Sequence, residues 1–336
     1  MKIAMITGSY PPETCGVGDY TYCLVSALRD IGVNVEVVNP SSWRISNFQN
    51  IVNQIKLVSP DLIHVQYPTR GYGYHLTPQF LSVILPVVST IHEVSQTHIL
   101  RRLSLLPFFM NSTATVFTNE YEREYVKKYF PWRQNRSTII PIGSNVPKAD
   151  ATSKDIDDII YFGLIRPNKG LEQVIDLAKL IVSKNFKYTV RIIGAVDERH
   201  SKYFAQLRNN SEGLPVQWNI NVPIEEIAAI LSRSRIGYLP FPDGASERRG
   251  SLLALLTNRV TVITKKGPYM PRAMEEAVLT ADTVEQALVI INKLLSESTT
   301  LRMCSEKANT YAQRYSWSMI ANQHVALYER ILANQR

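Results

Sequence analysis

The chain has 336 residues, too many for one small core and ample for two domains of ordinary size. Hydrophobic residues make up 45% and charged residues 20%, a composition that excludes an intrinsically disordered chain. Lys and Arg outnumber Asp and Glu by 37 to 29, giving a net charge of +8 that favours nucleotide phosphates, an anionic membrane surface or nucleic acid over an acidic partner, with an inert basic surface as the alternative.

The start, MKIAMITGSYPP, reads as a strand and turn rather than a signal peptide. No run reaches the roughly 18 apolar residues of a membrane span. Cys15, Cys23 and Cys304 form no CxxC pair and leave one thiol odd, which points to a reducing compartment, the cytoplasm.

KIAMIT is the first predicted strand, DYTYCLVSALRDIG a helix ending at Gly32, and VNVEVVNP a second strand. The helix NFQNIVNQIKLV, the strand DLIHVQYP, a helix near 77–84 and the strands PVVSTIHE and TATVFTN follow. Strict alternation of strand and helix implies a parallel sheet covered on both faces. Residues 141–158, PIGSNVPKADATSKDIDD, are polar and lack a period, and read as a linker. The second half repeats the plan. Strands DIIYFGLI, YTVRIIGA, VQWNINV, IGYLPF and VTVIT alternate with helices GLEQVIDLAKLIVSK, 198–209, PIEEIAAILSRS and RGSLLALLTN, and helices fill the remainder. The predicted fold class is therefore α/β, with two doubly wound, Rossmann-like domains facing across a cleft and ligand at the carboxyl ends of the strands.

Two glycines, Gly16 and Gly18, precede the first helix. A dinucleotide fingerprint needs G-x-G-x-x-G directly after the first strand. Here Thr21 holds the third place and SYPPETC separates Gly8 from Gly16, so a nicotinamide or flavin site is not expected, even with Glu36 at the end of the second strand. The glycines suit either a loop whose amides face an oxygen-rich ligand or a mobile cap on the sheet. In the second half, FGLIRPNKG puts Arg166 and Lys169 just past a strand end and before a helix, a place for a diphosphate or for two solvated charges. In PFPDGASERRGSLLALL, Glu247, Arg248 and Arg249 lead to free first-turn amides at Gly250 and Ser251; pairing of Glu247 with its arginines is the alternative.

Together GSYPPETCGVGDY, DLIHVQYP, TIHE, FGLIRPNKG, PFPDGASERRGSLLALLTNRVTVIT and the terminal YSWSMIANQHVALYERIL resemble the retaining glycosyltransferases of family 4, of GT-B fold, over nearly the whole chain. The resemblance implies an acceptor domain at 1–150, a nucleotide-sugar domain at 151–316 and a last helix, 317–336, crossing back to the first domain. It implies that Gly16, Val17 and Gly18 lie over donor phosphate and sugar, that His92 contacts the sugar at the reaction centre as a catalytic residue, and that Arg166 and Lys169 hold the diphosphate as catalytic cations. The amides at Gly250 and Ser251 would take the distal phosphate, with Glu247, Arg248 and Arg249 beside them. Asp19, His64, Gln66 and Tyr67 are the acceptor-side candidates. Chemistry without metal or cofactor is expected, the nucleotide sugar being a co-substrate. The string DIDD at 155–158 reads as a solvated strand start rather than a metal site.

Two departures from the family stand out. Leu164 follows Gly163 where the family has Arg, and Arg166 comes two places later. The second of the family's two glutamates is Leu255 here, so ribose is held otherwise, the donor lacks a 2′-hydroxyl, or the site is impaired; Arg248 and Arg249 are candidates to compensate. The acceptor is expected to be a glycan or lipid-linked sugar. ILRRLSLLPFF and YEREYVKKYFPWRQNR offer a peripheral contact with an anionic cytoplasmic membrane face, although tyrosines 121, 125 and 129 equally fit one buried helix face. Nucleic acid is not expected, because the basic residues are scattered. A non-catalytic nucleotide-sugar-binding subunit and a sugar-nucleotide 2-epimerase are the rival readings.

Overall fold

The computed structural model describes residues 1–334 apart from Thr14, Gln96 and Thr152. The chain divides into two units: Met1–Gly143 with Trp317–Arg336, and Ser144–Ser316. The division falls inside the polar segment 141–158.

In chain order, unit 1 contains β1 (Lys2–Ile6), α1 (Gly16–Asp30), β2 (Asn34–Val38), α2 (Phe48–Val58), β3 (Leu62–Tyr67), α3 (Thr77–Ile84), β4 (Val87–Ile91), α4 (Ile99–Ser104), α5 (Leu106–Asn111), β5 (Ala114–Phe117), α6 (Glu120–Lys127) and β6 (Ser137–Ile139). All pairings are parallel, in the order β2-β1-β3-β4-β5-β6. Alternate residues of β1 serve opposite cores. Ala4 and Ile6 join the core with Ile51, Ile63 and Phe108, while Ile3 and Met5 join Leu24, Leu28 and Val116. A strand buried on both faces has to read as a continuous apolar run, as KIAMI does. The last helix, α14 (Trp317–Ala333), packs on α1 and contributes Ile320, Tyr328 and Ile331 to the second of these cores.

Unit 2 contains β7 (Ile156–Phe162), α7 (Leu171–Ser183), β8 (Val190–Gly194), α8 (Ser201–Asn210), β9 (Val216–Ile220), α9 (Ile224–Arg233), β10 (Ser234–Leu239), α10 (Gly250–Thr257), β11 (Thr261–Thr264), α11 (Arg272–Glu275), β12 (Leu279–Thr280), α12 (Val284–Ser296) and α13 (Ser298–Ala312). Its sheet is parallel, in the order β12-β11-β10-β7-β8-β9. Residues Leu252 to Leu256 of α10 are all buried. A Cβ on Gly237 of β10 would stand 2.1 Å from Leu255 Cδ2, so the missing side chain is what seats α10 against the sheet.

In both sheets the strand order reverses at one place, between β1 and β3 in unit 1 and between β7 and β10 in unit 2. Connections from these neighbouring strands leave in opposite directions there and open a crevice at their carboxyl ends.

Several local expectations are corrected. The helix expected from Asp19 begins at Gly16, so Gly16, Val17 and Gly18 form its first turn. The tyrosine spacing at 121, 125 and 129 does not mark a buried face. The helix stops at Lys127, Tyr121 and Tyr129 are exposed, and the buried positions are Glu122 and Val126. ILRRLSLLPFF forms the short helices α4 and α5. The carboxylates of DIDD are not merely solvated, since Asp155 pairs with Arg233, Asp157 with Arg235 and Asp158 with Arg191.

Candidate functional site

At the unit 2 crevice, the loop after β7 carries both expected cations. Its path is set by backbone that side chains resist: Asn168 has φ 62° and Gly170 φ 80°. A Cβ on Gly170 would lie 2.1 Å from the carbonyl oxygen of Pro240, just beyond β10, so the two crevice loops touch at a position only glycine allows. Tyr161, buried in β7, donates its hydroxyl to the Lys169 carbonyl at 3.3 Å and holds the loop from beneath. Leu164 and Arg166 are exposed, with Ile165 buried between them. The two-place shift of the arginine thus leaves its side chain outside the core.

Burial, and then the positive charges of Arg249 and Arg166, push the Lys169 ammonium down to about 8. Arg249 comes from the loop after β10. Its guanidinium pairs with Asp243 and lies 4.7 Å from the centre of the Phe241 ring. The fold therefore gathers Arg166, Lys169 and Arg249 within electrostatic reach of one another, with Asp243 as the carboxylate that acts on both Lys169 and Arg249. The N-terminal turn of α10 follows directly. Arg249 at its N-cap makes no side-chain capping bond, and Gly250 is exposed with open space where a Cβ would point.

Glu247 has partners that neither sequence reading included. Its Oε1 accepts hydrogen bonds from Tyr315 at 2.5 Å and Tyr311 at 3.4 Å. The two phenols, themselves 2.8 Å apart, engage the carboxylate from the end of α13 and the turn after it. Burial and this carboxylate push the Tyr315 hydroxyl well above its ordinary pKa. Sequence could not reveal the partnership, because the tyrosines lie more than sixty positions away. Nor does α10 offer a carboxylate anywhere: GSLLALLT has none.

Unit 1 presents a different set of groups. The glycine pair serves two separate ends: a Cβ on Gly18 would meet the Ser9 carbonyl oxygen at 3.0 Å, so Gly18 lets α1 close on the preceding loop. A Cβ on Gly16 would meet nothing within 4 Å among the described residues outside its own turn. Asp19, also in that turn, has its carboxyl pKa raised by burial. His92 directly follows β4, its amide donating to the Tyr67 carbonyl at 2.9 Å. Its Nε2 lies 3.0 Å from Gln66 Oε1, and the edge of its ring meets Tyr20 at a centroid distance of 4.6 Å. The residue keeps some exposed surface, but desolvation of the ring pushes its pKa down to about 3, so it is neutral at physiological pH.

Three acceptor-side candidates are not at an open strand end. His64 lies mid-strand in β3 and is fully buried, with Nδ1 2.5 Å from the Tyr328 hydroxyl and Nε2 2.7 Å from Thr90 Oγ1. Gln66 is fully buried beside it. Tyr67 is buried, its hydroxyl accepting from Gln79 Nε2 at 2.9 Å. The reason is the central position of β3, which is covered on both faces. Sequence reasoning also missed Glu122, whose buried carboxylate accepts from the Val94 and Ser95 amides at 2.9 Å each and from Ser95 Oγ at 2.7 Å. It thereby fixes the loop that follows His92. The available signal was N-x-x-E at 119–122, a capping pattern in which Asn119 Oδ1 accepts from the Glu122 amide at 2.9 Å. Among the described residues, no group of three or more His, Cys, Asp or Glu side chains is placed to hold a metal ion.

No protein-family profile matches the chain, and no curated protein matches it in sequence. Solved structures do match in fold. Anabaena HepE in complex with UDP and glucose superposes with a TM-score of 0.68 at 13% identity, over 98% of this chain and 100% of the other. Sucrose-phosphate synthase from Thermosynechococcus elongatus gives 0.69 at 16%, over 99% and 100%. WaaG, a glycosyltransferase involved in lipopolysaccharide biosynthesis, gives 0.62 at 16%, over 97% and 99%. The chain has the two Rossmann-like domains of the GT-B fold.

Proposed function

We propose that the chain is a glycosyltransferase of the family 4 kind, moving a sugar from a nucleoside-diphosphate sugar to a glycan, lipid-linked or small-molecule acceptor, with retention and without metal. The observation that carries this reading is the set of three cations, Arg166, Lys169 and Arg249, gathered at the unit 2 crevice around one carboxylate. Burial first, and then repulsion among these cations, lowers the Lys169 pKa, and Asp243 offsets only part of it. A diphosphate relieves the mutual repulsion, and each charge-assisted bond to it contributes about 1.5–3 kcal/mol. HepE complexes with UDP and with UDP-glucose support a nucleotide-sugar donor for the same fold.

Breaking the bond between sugar and diphosphate leaves negative charge on the departing oxygen. Fixed cations and the first-turn amides of α10 stabilise that charge more in the transition state than in the ground state. They do the electrostatic work that a metal ion performs in other transferases, which is why the reading is metal-independent. In unit 1, Gly16, Val17, Gly18 and His92 are assigned to the donor sugar and Asp19 to the acceptor side. Retention follows from the family resemblance. Ribose is held by groups outside α10, because that helix has no carboxylate and Glu247 is engaged by Tyr311 and Tyr315.

The same reading puts a cytoplasmic enzyme against the membrane that carries its acceptor. No helix among the described residues is long and apolar enough to cross a membrane. Phe80, Val83 and Ile84 of α3 and Leu100 and Leu103 of α4 are exposed, on helices that each pack against α5, with Arg101 among them. Apolar side chains with a nearby cation suit an anionic lipid surface.

Incubation with uridine, guanosine, adenosine and thymidine diphosphate sugars, with and without chelator and membrane extract, tests the reading. Nucleotide release from one donor, insensitive to chelator and lost in Arg166→Ala and Lys169→Ala, is the expected result. Tight binding without release would favour the non-catalytic subunit.

A further inference from the structure

We infer that Gln66 is a positioning residue that locks His92 in its Nε2–H tautomer, so that the ring offers a bare Nδ1 lone pair to a sugar hydroxyl. The sugar contact itself rests on the function proposed above. The tautomer does not.

His92 Nε2 lies 3.0 Å from Gln66 Oε1. A carbonyl oxygen only accepts, so Nε2 must carry the hydrogen. Which end of the Gln66 amide faces His92 is decided at its other end. There the amide nitrogen lies 3.3 Å from Met5 Sδ and 3.3 Å from His64 Nε2. A thioether sulfur has no hydrogen to give, so the group against it has to be the amide NH2; a flipped amide would set a carbonyl oxygen against sulfur lone pairs. His64 Nε2 then accepts, taking the Thr90 hydroxyl at 2.7 Å and the longer amide contact. The His64 hydrogen consequently sits on Nδ1 and is donated to the Tyr328 hydroxyl at 2.5 Å. Each assignment forces the next.

The surroundings hold this arrangement rigidly. Gln66 and His64 are fully buried, and the Tyr20 ring stands at 79° to the His92 ring. Tyr20 is tied in turn to α14 by its hydroxyl, 3.2 Å from His324 Nε2. Gln66 engages Nε2, which leaves Nδ1 as the ring's remaining nitrogen. A neutral ring whose one hydrogen is held by Gln66 can only accept through Nδ1. It therefore takes a hydroxyl as donor and disfavours a carboxylate or phosphate oxygen at the same point, where two lone pairs would meet. The consequence is a preference for a donor sugar with a free hydroxyl there over a deoxy or uronate analogue.

The test is nitrogen-detected NMR on the full-length protein labelled with 15N-histidine, with His92 assigned by its loss in His92→Gln. At pH 7 the expected spectrum shows His92 protonated at Nε2 and pyridine-like at Nδ1. Gln66→Leu should give a mixture of both tautomers. Met5→Leu, which removes the sulfur that orients the amide, should move the spectrum toward the same mixture if Gln66→Leu does not fold. Hydrogen on Nδ1 in the unaltered protein, or an unchanged spectrum in folded Gln66→Leu, overturns the proposal. With a donor in hand, kcat/KM should fall about tenfold in Gln66→Leu, the scale seen when an orienting partner is lost. Because the spectra need no donor, failure of the glycosyl-transfer reading would leave the tautomer assignment standing, and the reverse holds as well.

Discussion

Unit 1 and unit 2 share an all-parallel six-stranded sheet, yet they equip the carboxyl ends of their strands with opposite chemistry. In unit 1 the groups around His92 are imidazoles, phenols and an amide, and burial holds the imidazoles neutral. In unit 2 the corresponding place carries cations whose repulsion is left partly uncompensated. Neutral hydrogen-bonding groups read shape and hydroxyl orientation, while fixed cations bind and stabilise phosphate charge. One fold thus carries neutral hydrogen-bonding groups or clustered cations, depending on what its strand-end loops hold.

The comparison can be broken most severely in unit 2. Arg166→Ala and Lys169→Ala should each lower kcat for nucleotide release about 100- to 1,000-fold, the scale of losing one oxyanion contact, measured with the donor that turns over. His92→Ala should cost far less, about tenfold or below, as expected for one neutral hydrogen bond; equal losses in the two units would abolish the contrast. Gly170→Ala should destabilise the protein by about 1–2 kcal/mol from left-handed backbone alone. The contact with the Pro240 carbonyl adds to that, and the loss would be read as a fall in Tm.

Two pH profiles sharpen the same contrast. The Lys169 pKa is lowered to about 8, so in the free enzyme the ammonium is lost as pH rises through 8. kcat/KM should fall above that value, whereas kcat, which reports the complex with a diphosphate that favours the ammonium, should hold to higher pH. In unit 1, His92 and His324 are pushed down to about 3, and His64 is also lowered. Their folded-state pKa values lie below the ordinary 6.5, so below pH 6.5 the unfolded chain binds more protons. Stability is therefore full above about 6.5 and declines as pH falls toward 3. The groups facing these rings are Tyr20 from α1, Gln66 from β3, Thr90 from β4 and Tyr328 from α14, none of them a carboxylate that would offset the loss. Tm should accordingly drop between pH 7 and 5, with no histidine step in kcat over that range.

Both sheets were legible because parallel strands buried on two faces leave apolar runs such as IAMI in β1 and IIYF in β7, and helices between them keep their own period. The cations after β7 were legible too, since a strand end followed by a helix start is a local pattern. What sequence concealed was set by contacts between distant segments. The tyrosines on Glu247, the seating of Gly170 on Pro240 and the reach of Arg249 to Lys169 all depend on where loops meet in space. His64 misled for a different reason: an apolar run does not say where its strand ends, so a mid-strand histidine was read as a terminal one. The start of α1 was hidden because glycine is a poor helix former, while packing on Ser9 favours Gly18 inside the first turn.

The most direct test of the central claim is calorimetric titration of UDP, GDP, ADP and dTDP into the protein and into the double variant Arg166→Ala/Lys169→Ala. The account predicts that at least one nucleoside diphosphate binds, and that its binding is lost in the double variant while the variant stays folded. No binding by any of the four, or equal binding by the variant, would contradict a phosphate site at the unit 2 crevice.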